Sequence, residues 1–170
     1  MKKAIEEICN RQIQREGYSS VLYLAMASWA EVQGFAGTAE WLYAQADEEK
    51  EHMLKFVRYI NERGGHAIIP EFEKPAETYK DVKTMFDQIL EHEQFISASI
   101  NEIVSLTLEE KDFTTNNWIQ WFVSEQIEEE ASVREIIDKL NLVGEHNMYL
   151  FDRDIISMRG SSGAAESGTD

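Results

Sequence analysis

Residues 82–107 read VKTMFDQILEHEQFISASINEIVSLT, and steps of three and four bring Val82, Phe86, Ile89, Glu93, Ile96, Ile100, Ile103 and Thr107 onto one face. That spacing predicts an amphipathic α-helix with its apolar stripe toward a core. Glu93 is the only charged member of the stripe. Working outward, the same pattern recurs. Residues 118–143 align Trp118, Phe122, Glu125, Glu129, Ser132, Ile136, Leu140 and Val143, with two acids in the run. Residues 42–60 give Leu42, Glu49, His52, Phe56 and Ile60, and the N-terminal stretch gives Ile5, Cys9, Gln12, Glu16, Tyr23, Ala27 and Ala30. Four stripes predict four long helices, each with an acid partway along.

Carboxylates buried without partners cost several kcal/mol each even after relaxation, so Glu16, Glu49, Glu93 and Glu129 in one core require compensating cations. Two divalent metals would supply that charge. Each acid lies roughly 12 to 15 residues from the start of its helix, and a helix of about 27 residues spans about 40 Å, so all four fall near mid-height. The two halves look like weak duplicates: Glu16 leads to Glu49, and Glu93 leads to Glu129, the second acid of each pair heading a Glu-x-x-X triplet. The first triplet ends in His52 and the second in Ser132, so two metal positions built here are expected to be unequal. Lone glutamates on two helices and Glu-x-x-His on two others form the known inward-facing set of di-iron helix bundles.

At 170 residues, with 43% apolar composition, the chain is sized for one domain. Its single cysteine, Cys9, excludes an internal disulfide and a four-cysteine metal site, and reads as a small packed apolar residue in a reducing compartment. The N-terminus turns acidic at Glu6 and Glu7, too soon for a signal peptide, and no apolar run nears the roughly 18 residues of a membrane span. A soluble, cytoplasmic protein is expected. Thirty-two acidic against 16 basic residues give a formal charge of -16, which disfavours nucleic acid and anionic membranes as partners and favours cations.

The punctuation predicts five helices, an all-α antiparallel four-helix bundle with a short C-terminal addition. The first runs from about residue 3 to 33 and stops near Gly34; Thr38 is the expected N-cap of the second, which ends at Gly64-Gly65. His66 to Lys80, holding both prolines, Pro70 and Pro75, is long for a bundle turn and fits a crossover between parallel helices. Asp81 caps the third helix, Asp112 or Thr114 the fourth, and Gly144 closes the fourth. Met148 to Met158 forms a short amphipathic segment with Leu150, Phe151, Ile155 and Ile156 apolar. The domain is expected to span 1–158, and the Gly/Ser-rich tail, 159–170, to be disordered.

With these residues in view, the chain resembles the ferritins, specifically the haem-free ferritins of bacteria, from about residue 5 to 158. The resemblance is carried by Glu16-Gly17-Tyr18-Ser19-Ser20, Glu48-Glu49-Lys50-Glu51-His52-Met53, His92-Glu93-Gln94 and Ser124-Glu125-Gln126-Ile127-Glu128-Glu129-Glu130. It implies that Glu16, Glu49 and His52 hold one iron and Glu49, Glu93 and Glu129 a second, with Glu49 bridging and Gln126 nearby. A third iron position is implied at Glu48, Glu125 and Glu128 with help from Glu129, although those acids alone also read as a solvated face. Tyr23 matches a tyrosine beside the site, where it serves as ligand partner, electron donor or plain core residue. Trp121 matches a neighbouring aromatic and reads chiefly as packing. The implied activity is ferroxidase: Fe(II) is oxidised by O2 and stored as Fe(III) mineral inside a 24-subunit homo-oligomeric shell, whose four-fold contacts the fifth helix lines.

Departures from relatives sharpen the expectation. Lys50 stands where bacterioferritins place a haem-ligating methionine, so no haem is expected. Asn116-Asn117-Trp118-Ile119-Gln120 lacks the channel acids of animal ferritins, which leaves the iron entry route open. His66, His92 and His146 have no partners at ligand spacing and read as surface or structural. Gly17, inside a helix beside a ligand, costs about 1 kcal/mol relative to alanine, with close packing as its only evident reason. Three rival classes fit less well: a DNA-protecting shell has no basic handle here, a rubrerythrin-type peroxidase needs more cysteines, and a plain helical scaffold has no use for four central acids.

Overall fold

The computed structural model describes residues 1–158. Helices α1 (Lys3–Val32), α2 (Ala36–Glu62), α3 (Val82–Glu109) and α4 (Phe113–Val143) form the bundle, and a short α5 (Met148–Asp154) follows, running on as a 3-10 turn over Ile155–Met158. Contacts fix the directions of the helices. Tyr23 and Gln12 of α1 reach Glu93 and Ser99 of α3, while Gln45 and Tyr59 of α2 reach Glu129 and Thr115 of α4. In both cases rising numbers meet falling ones, so α1 is antiparallel to α3 and α2 to α4. Short turns make α1–α2 and α3–α4 hairpins, which leaves α2 and α3 parallel and joined by the extended crossover of residues 65–81. The expected ends hold: Gly34, Gly64 and Gly144 all adopt positive φ, and Asp81 and Asp112 accept from Thr84 N and Thr115 N.

Two apolar clusters fill the bundle. One gathers Tyr23, Met26, Trp41, Leu42, Met85, Phe86, Ile89 and Ile136 and reaches Phe151 and Ile155 of the fifth helix. The other, toward the opposite end, is Ile-rich: Ile5, Ile8, Ile13, Ile60, Ile96, Ile100, Ile103 and Ile119, with Cys9, Phe56 and Phe122. Cys9 is fully buried there, its thiol pushed up to about 12 chiefly by loss of water. Between the clusters lies a layer of buried polar side chains.

Three sequence expectations need correction. Thr38 does not cap α2 with its own side chain; the carboxylate of Asp152, from α5, accepts from Gly37 N, Thr38 N and Thr38 Oγ1 at 3.0, 2.8 and 2.8 Å. A tertiary contact replaces the local cap. On α4, Trp118, Glu125, Ser132 and Val143 are only partly buried, whereas Ile119, Gln126 and Val133, one step further on, are buried beside the shared Phe122, Glu129, Ile136 and Leu140. The aliphatic Ile119 and Val133 take the interior, and Trp118 stacks on Tyr59 at its margin, 3.8 Å between centroids. The apolar residues of the final segment also divide: Phe151 and Ile155 are buried, while Leu150 and Ile156 face outward.

Gly17 is explained. A Cβ there would collide with the ring of Phe72, from the crossover, and come within 2.9 Å of Met53 Sδ. The glycine lets the crossover lie directly on α1 at the height of Glu16. Among the described residues no helix is long and apolar enough to cross a membrane. The tail from residue 159 lies outside the described residues.

Candidate metal centre

The polar layer is built from one to three turns of each long helix. α1 supplies Gln12, Glu16 and Tyr23; α2 supplies Gln45, Glu48, Glu49 and His52; α3 supplies Glu93; α4 supplies Glu125, Gln126 and Glu129. Glu16, Glu49, Glu93, His52 and Glu129 are between 0% and 5% exposed, so water cannot screen their charges. Among the described residues no lysine or arginine pairs with any of the four acids.

Their free atoms point at one another. Glu16 Oε2, Glu49 Oε2 and His52 Nδ1 are buried and have no hydrogen-bond partner. His52 Nδ1 lies 3.9 Å from Glu16 Oε2 and 3.7 Å from Glu49 Oε2, too far for hydrogen bonds. Such separations suit donors that share one cation, since nitrogen and carboxylate ligands bind first-row ions at about 2.0–2.2 Å from opposite sides. Glu16, Glu49 and His52 form one set whose donor atoms lie within 4.8 Å of one another; Glu48, His52, Glu125 and Glu129 form another. His52 belongs to both sets.

Amides and hydroxyls hold the carboxylates in place. Gln12 Nε2 donates to Glu16 Oε1 at 2.7 Å, and Ser99 Oγ donates to Gln12 Oε1 at 2.9 Å. Tyr23 donates to Glu93 Oε1 at 2.6 Å, Gln126 Nε2 to Glu93 Oε2 at 3.2 Å, and Gln45 Nε2 to Glu129 Oε2 at 2.9 Å. Burial drives the carboxyl pKa values of Glu16, Glu49, Glu93 and Glu129 upward, and neighbouring acids add to it. For Glu16 the second cause is the charge of Glu49, for Glu49 that of Glu93, and for Glu129 those of Glu49 and Glu93; all three lie well above the usual range. Glu93 is also raised by burial, but the bonds from Tyr23 and Gln126 oppose the shift. Burial and then the Glu93 charge hold the Tyr23 phenol well above its ordinary value, so it remains a donor.

The remaining sequence candidates separate clearly. Glu48 and Glu125 are half-buried at the edge of the centre, with Glu125 raised by burial. Glu128 is exposed and belongs to neither donor set. His92 is structural: Ser19 Oγ meets its Nε2 at 2.7 Å, and burial lowers its pKa to about 4. Trp121 contacts His52 edge-on, 5.4 Å between centroids. Sequence reasoning gave Gln12, Gln45 and Ser99 no role. Gln12 already interrupted an apolar stripe one turn before Glu16, and Gln45 stands one turn before Glu49, which is the signal that marks them.

Residues 6–143 match the ferritin-like domain, and the chain belongs to the ferritin family. It is 43% identical over 157 residues to a probable bacterial non-heme ferritin-like protein of Haemophilus influenzae, covering 91% of this chain and 95% of that one. It is 41% identical to the bacterial non-heme ferritin of Campylobacter jejuni over 91% of this chain and 94% of that protein. Among solved structures, an open pore ferritin from the hyperthermophilic archaeon Archaeoglobus fulgidus superposes with a TM-score of 0.90 at 37% identity, covering 92% of this chain and 96% of that one.

Proposed function

We propose that the chain, through a single domain of residues 1–158, stores iron in the cytoplasm as a ferroxidase, with Fe(II) and O2 as its substrates. The observation that carries this reading is the trio of unbonded buried atoms, Glu16 Oε2, Glu49 Oε2 and His52 Nδ1, facing one another. A bundle that leaves three polar atoms unsatisfied at its centre forgoes stability unless a cation completes them. In this reading Glu16, Glu49 and His52 take one Fe(II), and Glu49, Glu93 and Glu129 take the other, with Glu49 between them. Each Fe(II) yields one electron to O2, and hard carboxylate oxygens favour the Fe(III) product. Gln12, Gln45, Tyr23 and Gln126 keep the ligands oriented, as outer-shell donors do around metals generally. His52 binds as the neutral imidazole.

Glu48 and Glu125, aided by Glu129 and the outward Glu128, receive iron at a third position on the edge of the centre. The ferric product then collects as mineral inside a homo-oligomeric shell of 24 subunits. Tyr149, Leu150 and Ile156, exposed on the final helical segment, favour assembly, because an apolar strip of this kind asks for a partner.

Aerobic addition of Fe(II), followed by the rise in ultraviolet absorbance of ferric product, tests the activity. The expected result is rapid oxidation by wild type and oxidation at the protein-free rate by a Glu49→Ala, His52→Ala variant. Equal rates for the two proteins would refute the centre. Sedimentation tests the assembly, since a monomeric 19.6 kDa species at micromolar concentration would exclude the shell.

A further inference from the structure

One cation at the rim of the centre makes no direct ion pair with a carboxylate. Lys55 follows His52 by three residues on α2, and its Nζ lies 3.3 Å from the centroid of the Trp121 ring. Among the described residues no carboxylate comes within ion-pair distance of it. Trp121, 36% exposed, presents its face to this ammonium while it meets His52 edge-on and Phe122 at 4.8 Å. The half-buried Glu48 and Glu125 lie on the same seam between α2 and α4, their oxygens within 4.8 Å of donor atoms on His52 and Glu129. Here the donor cluster meets solvent.

An indole face holds an ammonium by its quadrupole and leaves the positive charge intact, whereas a carboxylate partner would cancel it. The pair therefore holds a positive charge, free of any direct carboxylate contact, beside the half-buried acids Glu48 and Glu125. We propose that Lys55, seated on Trp121, is a charged gate that slows the passage of divalent cations between the α2–α4 seam and the buried carboxylates. The gate rests on the metal-centre reading above. It acts on the rate of arrival, because the ammonium touches no ligand of the inner trio, and its repulsion falls with salt.

Stopped-flow capture of Co(II), read by its visible absorption and so independent of oxidation, provides the test. Lys55→Met keeps the aliphatic stem against the indole and removes the charge; Lys55→Arg keeps both. At low ionic strength Lys55→Met is expected to capture Co(II) about three to ten times faster than wild type, Lys55→Arg at the wild-type rate, and the gap is expected to close near 0.5 M salt, at a screening length of about 4 Å. Near-ultraviolet circular dichroism confirms that Trp121 keeps its setting. A Lys55→Met rate equal to wild type at low salt overturns the gate, as does an acceleration that persists at high salt, which would mark a steric opening. Failure of wild type itself to capture Co(II) would instead remove the metal centre, and the gate with it.

Discussion

In the α1–α2 hairpin, Glu16, Glu49 and His52 turn three unbonded atoms toward one another; in the α3–α4 hairpin, Glu93 has a donor on each oxygen and Glu129 accepts from Gln45. The residue types are alike and all are buried. What differs is whether the protein itself has already met their bonding needs. The first hairpin leaves three buried polar atoms without partners, and the second is largely satisfied by the protein itself. The weak duplication in sequence thus hides an energetic asymmetry: the half that contributes histidine is the half that contributes the demand.

Substitutions break this comparison most sharply at Glu49, the acid proposed to bridge the two metals. Glu49→Gln is expected to weaken binding of the tightest Co(II) by about 100-fold, about 2.7 kcal/mol, while Glu93→Gln weakens it about tenfold. Isothermal titration calorimetry ranks the two, and equal losses would erase the asymmetry. At Gly17, alanine gains helix propensity but drives a methyl into Phe72, so a net loss of about 1–2 kcal/mol in chemical denaturation is expected. A gain would mean that the crossover moves freely off α1. Tyr23→Phe removes one donor from Glu93 and is expected to cost about 1 kcal/mol of stability, with oxidation slowed but not abolished.

The mildest effect is one of pH. Glu16, Glu49 and Glu129 have folded-state carboxyls raised well above 4.5, so the native chain keeps protons that the unfolded chain has lost. Their stabilising contribution is complete below about pH 4.5 and declines as pH rises through the raised values. Chelator-treated protein is therefore expected to melt a few degrees lower at pH 8 than at pH 6, Glu49→Gln to show a shallower decline, and Co(II) to restore more at pH 8. Differential scanning calorimetry at the two pH values checks the sign, and a steeper decline in the variant would reverse the argument.

The spacing of apolar residues made the four helices legible, because a period of 3.6 cannot serve another element, and the acids betrayed themselves by interrupting it. Every residue of the α3 stripe is buried as read. On α4 the same logic slipped by one position, since Trp118 and Ile119 are both apolar and only the packing on Tyr59 decides which turns inward. The supporting amides were harder to read. Gln12 and Gln45 gain meaning from a carboxylate one turn away or across the bundle, and a one-dimensional pattern does not carry that relation. The Asp152 cap was illegible for the same reason, with 114 positions separating it from Thr38.

That cap has a mechanical consequence. Asp152 clasps the first turn of the very helix that carries Glu49 and His52, and Gly37 is bare because a methyl there would strike the Asp152 carbonyl oxygen. The C-terminal segment is therefore bolted to the rod that carries the candidate ligands rather than trailing from it, and any displacement of Asp152 pulls directly on the first turn of α2.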